Sequence, residues 1–141
     1  MAKVSEVMKG APEAVLDVVD GIATRDMDRV LNGLTPDAQW TLVGRPDRFA
    51  LGGTKPAAET VEMLRGALPA FHQFLFEVEA WAQNGDCIFV EAITRAVGPG
   101  TATYNNRYLM RFKLQNSRVA EVLEHYDPFE ALVWIEQAEA Q

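Results

Sequence analysis

The chain has 141 residues, which suits one domain with one core, and apolar residues make up 48% of it, an ordinary fraction for a globular protein. A formal net charge of −7 without a basic face argues against a nucleic-acid binder. Because Cys87 is the only cysteine, an internal disulfide and a cysteine-based metal cluster are excluded. The N-terminus has no long apolar run, so we expect no signal peptide and no membrane span, and hence a cytoplasmic protein.

Two helices are predicted in the first third of the chain. Apolar residues recur at helical spacing over residues 15–23, and Pro12 suits the first turn of that helix. Asp26 can cap a second, shorter helix over residues 27–31, because its carboxylate can accept hydrogen bonds from the first free backbone N–H groups. The dipeptide Asn32-Gly33 can end this second helix.

A short strand, "DAQWTLVG", and a loop rich in glycine and proline come next. Thr54 can cap a third helix with Pro56 in its first turn, and Pro69 prevents its continuation. Beyond Pro69 the apolar period becomes two, which predicts four strands joined by short turns. These strands are "FHQFLFEVEAWA", "DCIFVEAITRAV", "TATYNNRYLMRFKL" and "RVAEVLEHY". The tail returns to helical spacing, and Asp127 fits the N-cap of this last helix.

Helices followed by a long meander predict an α+β fold, with the helices packed on one face of a curved antiparallel sheet. Residues 1–141 contain no repeat, low-complexity segment or linker, so we expect a single domain. No phosphate-binding loop and no cluster of metal ligands is visible, so the sequence requires neither a metal nor an organic cofactor.

The order of these elements, the segment "TPDAQW" and the ending "YNNRYLMRFKLQNSRVAEVLEHYDP" resemble the SnoaL-like branch of the NTF2-like superfamily. That group includes ketosteroid isomerase, limonene epoxide hydrolase, polyketide cyclases and phenazine-biosynthesis proteins. The resemblance covers nearly the whole chain and implies a cone. A curved mixed or antiparallel sheet would wrap around three N-terminal helices, with a C-terminal helix and a deep pocket. It also implies a homodimer, formed through the outer face of the sheet.

The register of the last hairpin decides which side chains reach such a pocket, because successive side chains point to opposite faces. A two-residue turn at Asn116-Ser117 would place Tyr108 opposite His125 and would turn Glu124 to the outer face. A three-residue loop over 115–117 would place Tyr108 opposite Glu124, with both inside. Local chemistry leaves both registers open, and the resemblance favours the three-residue loop.

The strand before this hairpin also has two possible orientations. The resemblance places Glu91 and Arg95 inside, with Glu91 opposite Tyr108. In the alternative, the other face of the strand is buried, and Glu91 pairs with Arg107 or Arg111 outside. In the first orientation, Glu91 and Glu124 would flank a ligand, with Tyr108 between them.

A carboxylate in an apolar pocket has a raised pKa, which suits proton transfer near neutral pH. By resemblance, Glu124 falls where limonene epoxide hydrolase has an aspartate and the phenazine proteins have a catalytic glutamate. We therefore predict Glu124, Glu91 and Tyr108 as catalytic residues. The predicted substrate-binding residues are Trp40, His72, Arg95, Tyr104, Asn106, Met110 and Tyr126. Several of these have a structural alternative: a surface acid or ion pair for the glutamates, core aromatics for the tyrosines and Trp40, and a structural histidine for His72.

Three functions agree with this set of residues. The first is a small-molecule enzyme that performs acid/base chemistry on a hydrophobic, oxygenated substrate, by isomerisation, cyclisation, dehydration or water addition. The second is a ligand-binding or accessory protein with the same pocket and no turnover. The third is an interaction module that uses the exposed face of the sheet. For all three we expect neither a nucleic-acid nor a membrane partner.

Overall fold

The computed structural model describes residues 2–141, which contain five α-helices and six strands. The helices are α1 (Val4–Val7), α2 (Glu13–Thr24), α3 (Met27–Gly33), α4 (Ala57–Ala67) and α5 (Pro128–Glu139), with a 3-10 turn at Leu68–Ala70. The strands are β1 (Leu34–Leu42), β2 (Gly53–Pro56), β3 (Gln73–Asn84), β4 (Cys87–Val97), β5 (Thr103–Gln115) and β6 (Arg118–His125). None of the helices within residues 2–141 combines the length and the apolar content that crossing a membrane requires.

The six strands form one curved, open sheet in the order β2-β1-β6-β5-β4-β3. Neighbouring strands are antiparallel except β1 and β6, which run parallel, so the sheet is mixed. Its inner face packs against α2, α3 and α4 around a core that includes the fully buried Trp40, Ile88 and Phe112. The predicted α+β cone is therefore confirmed, and the short α1 is an additional helix that the sequence did not predict.

Two of the three predicted helix caps are present. The Asp26 side chain accepts a hydrogen bond from the Arg29 N–H at 3.1 Å, and the Asp127 side chain accepts one from the Phe129 N–H at 2.9 Å. The cap predicted at Thr54 is wrong, because Thr54 belongs to the edge strand β2 and α4 begins only after Pro56. The pairing of β2 with β1 outweighs the local capping preference of Thr54.

The β5–β6 hairpin turns at two residues rather than three. Gln115 pairs with Arg118, and Asn116 and Ser117 between them have positive φ angles of 52° and 66°. Two consecutive residues in this region indicate a type I′ turn, whose twist matches that of the two strands it joins. The three-residue loop favoured by the resemblance is therefore wrong.

One extra residue in β6 reverses the effect of this shorter turn. Leu114 pairs with Val119 but Lys113 pairs with Glu121, so Ala120 has no partner on β5 and forms a β-bulge. As a result, the buried residues Val119 and Val122 are three positions apart instead of two. The inner face beyond the bulge is the face that carries Glu124.

Glu124 consequently lies opposite Met110, not opposite Tyr108 as the three-residue loop would have required. Its orientation toward the interior agrees with the prediction, although the reason for it differs. The parallel neighbour of Glu124 on β1 is Leu42, which also lines the interior. The expected row of Glu91, Tyr108 and Glu124 across three strands does not exist.

Strand β4 has the orientation that was the alternative in the sequence analysis. Val90 and Ala92 are fully buried, whereas Glu91 lies on the outer face with Arg107 Nη1 2.9 Å from its Oε1. Arg95 is exposed on the same outer face. The interior positions expected for Glu91 and Arg95 are therefore wrong.

The pairing between β4 and β5 explains this orientation. Ala92 lies opposite Tyr108 and Ala96 lies opposite Tyr104, so small side chains leave room for two large phenols on the inner face. On the outer face Arg107 bridges Glu79 and Glu91, which satisfies both acids where water also reaches them. A buried glutamate and arginine at these positions would displace the tyrosines from the core.

The turn offers a test of the hairpin register. Changing Ser117→Gly should raise the free energy of unfolding by about 0.5–1 kcal/mol, because glycine adopts positive φ without the steric penalty of a Cβ. Ser117→Ala is the control, since it removes the hydroxyl but keeps the Cβ, and it should not stabilise. Chemical denaturation measures both. A glycine variant no more stable than the alanine variant would contradict the assigned turn.

Candidate active site

A cavity of about 270 Å³ lies between the inner face of the sheet and the helices α4 and α5. Apolar and aromatic side chains form most of its wall, including Phe71, Phe74, Phe76 and Trp134. Its polar lining residues are Thr60, Thr94, Tyr104, Tyr108, Glu124 and Tyr126. Among the described residues that line it, Glu124 is the only charged one. The cavity therefore combines one carboxylate with a predominantly apolar wall.

Glu124 is held at the wall of the cavity by β6 and by one hydrogen bond. The Trp40 indole N–H donates to Glu124 Oε1 at 3.1 Å, and within residues 2–141 no other side chain binds this carboxylate. Burial in the apolar wall raises the pKa of Glu124 to about 7, and the Trp40 hydrogen bond opposes this rise by stabilising the ionised form. Both protonation states are thus populated near neutral pH, as a group that accepts and returns a proton requires.

Tyr104 and Tyr108 form a chain of hydrogen bonds on β5. The Tyr108 hydroxyl donates to the Tyr104 hydroxyl at 2.9 Å, and Asn106 Nδ2 donates to the same oxygen at 3.0 Å. A phenol has one proton and two acceptor lone pairs, so Tyr104 keeps its own proton for a further partner. Burial raises the pKa of Tyr104 to about 12, so this proton stays in place at neutral pH.

Tyr104, rather than Tyr108, is therefore placed to donate a hydrogen bond into the cavity. The proton of Tyr108 is already used in its bond to Tyr104, and burial raises the pKa of Tyr108 well above its ordinary value. Tyr108 lines the cavity but orients its neighbour. The sequence analysis predicted Tyr108 as catalytic and Tyr104 as substrate-binding, and both line the cavity.

The remaining predicted binding residues divide into two groups. Trp40, Met110 and Tyr126 line the cavity, and burial raises the pKa of Tyr126 to about 12. The Tyr126 hydroxyl is buried and has no hydrogen-bond partner within residues 2–141. His72 is exposed and lies outside the cavity wall, with its Nε2 2.9 Å from the Gly100 carbonyl oxygen. Arg95 is also outside, so neither side chain reaches a ligand bound near Glu124.

Asn106 is buried behind the tyrosines and does not line the cavity. Its amide Nδ2 donates to the Asp127 carbonyl at 3.0 Å as well as to Tyr104, and its Oδ1 accepts from the Asp127 N–H at 2.9 Å. Since Asp127 caps α5, Asn106 connects the start of this helix to the Tyr104 hydroxyl. It supports a donor and is not itself placed to bind substrate.

Several wall residues were not identified as site residues from the sequence. Ala131, Trp134 and Ile135 project from α5 into the cavity, and their spacing of three and four residues is the signal that could have indicated an inward face. The Trp134 ring packs against Phe71 with 5.1 Å between centroids, and its N–H donates to the Gly98 carbonyl at 2.7 Å. Helix α5 therefore forms one wall of the site.

A curved sheet wrapped around helices gives the chain the NTF2-like fold. Residues 15–122 match the model of the SnoaL-like domain family, so the chain belongs to that family. Among curated protein sequences, none matches this chain.

Three solved structures with this fold illustrate the likeness. TerC, crystallised with polyporic acid, is 21% identical, with a TM-score of 0.74 over 89% of this chain and 99% of its own. An epoxide hydrolase from M. tuberculosis of the LEH-like type is 15% identical, with a TM-score of 0.68 over 92% and 91%. IdmH from Streptomyces antibioticus, provisionally assigned as a polyketide cyclase, is 14% identical, with a TM-score of 0.69 over 88% and 96%. At these identities the likeness shows the fold alone.

The burial of Glu124 predicts a pH-dependent stability difference. With an ordinary pKa of 4.5 unfolded and about 7 folded, Glu124 ionises first in the unfolded chain, so it destabilises the fold increasingly between these two values. Glu124→Gln removes this penalty. Its advantage in unfolding free energy over the wild type should grow by up to about 3 kcal/mol between pH 4.5 and 7 and then level off.

Denaturant unfolding at several pH values measures this difference, and Glu136→Gln controls for the loss of one exposed acid. If the free energies of unfolding of Glu124→Gln and the wild type change by the same amount across this pH range, the Glu124 carboxylate is not desolvated.

The indole of Trp40 offers a second test. Trp40→Phe removes a donor to the ionised carboxylate, so the pKa of Glu124 should rise further, by about one unit. The side-chain carboxyl of ¹³C-labelled glutamate reports the titration by NMR, and the Glu124 signal is identified by its loss in Glu124→Gln. Trp81→Phe is the matched control, because the Trp81 indole binds the Val7 carbonyl instead. An unchanged midpoint in Trp40→Phe would show that the indole does not stabilise the anion.

Proposed function

We propose that this protein is an enzyme that moves a proton on a hydrophobic, carbonyl-bearing small molecule, with Glu124 as the group that takes and returns it. The observation that carries the proposal is a carboxylate with a pKa of about 7 in a cavity whose other described lining residues are uncharged. A general base is most effective when its pKa is near the working pH.

The chemistry begins with a substrate whose carbonyl oxygen accepts the free proton of Tyr104 as a hydrogen bond. Ionised Glu124 removes a proton from the carbon next to the carbonyl, and the C–H electron pair forms an enolate. The Tyr104 hydroxyl stabilises the negative oxygen without giving up its proton. In a substrate with a carbon–carbon double bond beside this carbon, the enolate is conjugated, and protonated Glu124 gives the proton to its far carbon; the double bond moves next to the carbonyl, which completes an isomerisation.

Cyclisation follows from the same intermediate. The enolate carbon can attack a second carbonyl of the substrate, which forms a carbon–carbon bond and an alkoxide. Glu124 then gives its proton to the alkoxide oxygen, and the carboxylate is regenerated. The aromatic wall formed by Phe71, Phe74 and Trp134 suits a flat, ring-sized substrate.

Hydrolysis of an epoxide by two carboxylates with an arginine between them is less well supported. Glu91 and Arg95, the residues expected to complete that arrangement, lie on the outer face of the sheet. Among residues 2–141, the cavity thus offers Glu124 without a second carboxylic acid to protonate a leaving oxygen while water attacks.

A ligand-binding protein without turnover is the second candidate. TerC, of the same fold, was crystallised with polyporic acid, which supports this kind of cavity as a small-molecule site in general. The two candidates differ in what Glu124 does, because simple binding tolerates its neutral isostere.

The homodimer expected from the resemblance stays a prediction. Phe89 and Leu109 are 40% and 54% exposed on the outer face of the sheet, beside the ion pairs of Arg107. A partner molecule would cover these two apolar side chains, which favours this face as the dimer surface. The cytoplasmic location also stays a prediction.

Deuterium exchange tests proton transfer without knowledge of the natural substrate. We expect the protein to accelerate exchange at the carbon next to the carbonyl of 1-tetralone in D₂O, followed by ¹H NMR. The rate should rise as pH increases through about 7, because the ionised form of Glu124 is the base. Glu124→Gln should lower the enzymatic rate by about 100-fold or more and Tyr104→Phe by about 10-fold.

Glu91→Gln is the control for this experiment, since it removes a carboxylate from the outer face and should leave the rate unchanged. Equal exchange rates for the wild type and Glu124→Gln over a panel of cyclic ketones would contradict catalysis by Glu124 and favour the binding protein.

A further inference from the structure

A second chamber adjoins the cavity at the β2 edge of the sheet. It has a volume of about 260 Å³, and we call it the side chamber. The wall residues that it shares with the cavity are Trp40, Leu42, Leu51, Thr60 and Met63. The residues that it adds are Gly53, Lys55 and Glu59. The side chamber therefore extends an apolar site toward a region that carries charge.

Lys55 points into this chamber. It pairs with Trp40 across the antiparallel β1–β2 ladder, and residues directly opposite each other in such a ladder project to the same face. Thr54 and Pro56 beside it are exposed, whereas Lys55 is half-buried. Within residues 2–141, Lys55 belongs to no ion pair. Lys55 is therefore a half-buried cation in the chamber wall without a carboxylate at ion-pair distance among the described residues, and a bound anion would supply that partner.

We propose that Lys55 binds an anionic oxygen group of the ligand, such as a carboxylate, while the apolar body of the same ligand lies in the cavity against Glu124. As a statement about substrate class, this rests on the proposed function. The side chamber alone predicts a hydrophobic acid as its ligand.

The start of α4 adds to the positive potential of the side chamber. Thr60 of its first turns lines the chamber, and no side chain caps the N-terminus of this helix at Pro56. The free N–H groups at a helix N-terminus favour a nearby negative charge. The negative charge of Glu59 in the same turn opposes this effect, so the preference for an anion depends on the positive charge of Lys55.

The sheet register gives the backbone separation of Glu124 and Lys55. Glu124, Leu42 and Gly53 form one row across β6, β1 and β2, and Lys55 lies two residues along β2 from this row. With neighbouring strands about 4.8 Å apart and a rise of about 3.3 Å per residue, the Cα atoms of Glu124 and Lys55 are roughly 12 Å apart. A ligand that contacts both side chains is therefore elongated along the sheet.

Protection of a sheet edge is the other explanation for an inward lysine. β2 is the last strand of the sheet on its side, and charged residues on edge strands prevent the pairing of two molecules. That explanation predicts self-association after removal of the charge and no effect on the choice of ligand.

Two probes that differ only in charge separate these explanations. We would measure the binding of 4-(naphthalen-2-yl)butanoate and of its primary amide by calorimetry at pH 6, where most of Glu124 is protonated because its pKa is about 7. The wild type should bind the acid about 10-fold more tightly than the amide. Lys55→Met should lose this preference through weaker binding of the acid, with an unchanged affinity for the amide.

Two further variants make the test specific. Lys55→Arg keeps the charge and should keep the preference, whereas Glu59→Gln removes the opposing charge and should increase it. The unchanged amide affinity also shows that the Lys55→Met variant is folded. The proposal is overturned if Lys55→Met retains the preference, or if the wild type binds the acid no more tightly than the amide, including no binding of either.

The outcome of this binding experiment does not depend on the outcome of the deuterium-exchange experiment. Binding of the two probes involves no turnover, and Glu124→Gln should keep the preference for the acid. A preference that depends on Lys55 together with no exchange activity would leave the side chamber as a binding site and remove the proton transfer.

Discussion

The bulge at Ala120 is the constraint on which the candidate site depends. In a hairpin with a two-residue turn, an uninterrupted period of two would place Glu124 among the outer ion pairs and His125 inside. One unpaired residue places Val122 on the inner face, three positions beyond the buried Val119, and Glu124 follows on the same face two positions later. The position of the single acid in the cavity is therefore set by backbone geometry some distance from the acid itself.

A carboxylate at this position lowers the stability of the fold, so the presence of Glu124 there points to a role other than folding. A glutamate with a pKa of about 7 is ionised in half of the molecules at neutral pH, in a wall that offers it one indole hydrogen bond. An uncharged residue of the same shape would fold better there. A role toward a ligand therefore explains Glu124 better than a role in folding. The outer glutamates differ, because they form ion pairs with Arg107 and Arg111.

The sequence predicted four of the five helices of the described residues, the four long strands and the cone, because those depend on periodicity, caps and a resemblance that covers nearly the whole chain. It predicted Glu124 on the correct face through an incorrect turn, since a bulge leaves no mark in a pattern as short as β6. The orientation of β4 could have been read from Ala92 and Ala96, whose small size suits the phenols opposite them. The cavity itself depends on sheet curvature and on Trp134 of α5, which are properties of the assembled fold.

Asn106 connects two parts of the molecule that would otherwise move separately. Its amide group holds the backbone of Asp127 with two hydrogen bonds, and the same amide nitrogen binds the Tyr104 hydroxyl. A ligand that entered by displacing α5 would first have to separate Asp127 from Asn106, which would release the phenol from its fixed direction. While α5 was displaced to admit the ligand, the Tyr104 hydroxyl would not be held in position to donate. Chemistry would then begin only after α5 had returned and bulk water had left the cavity.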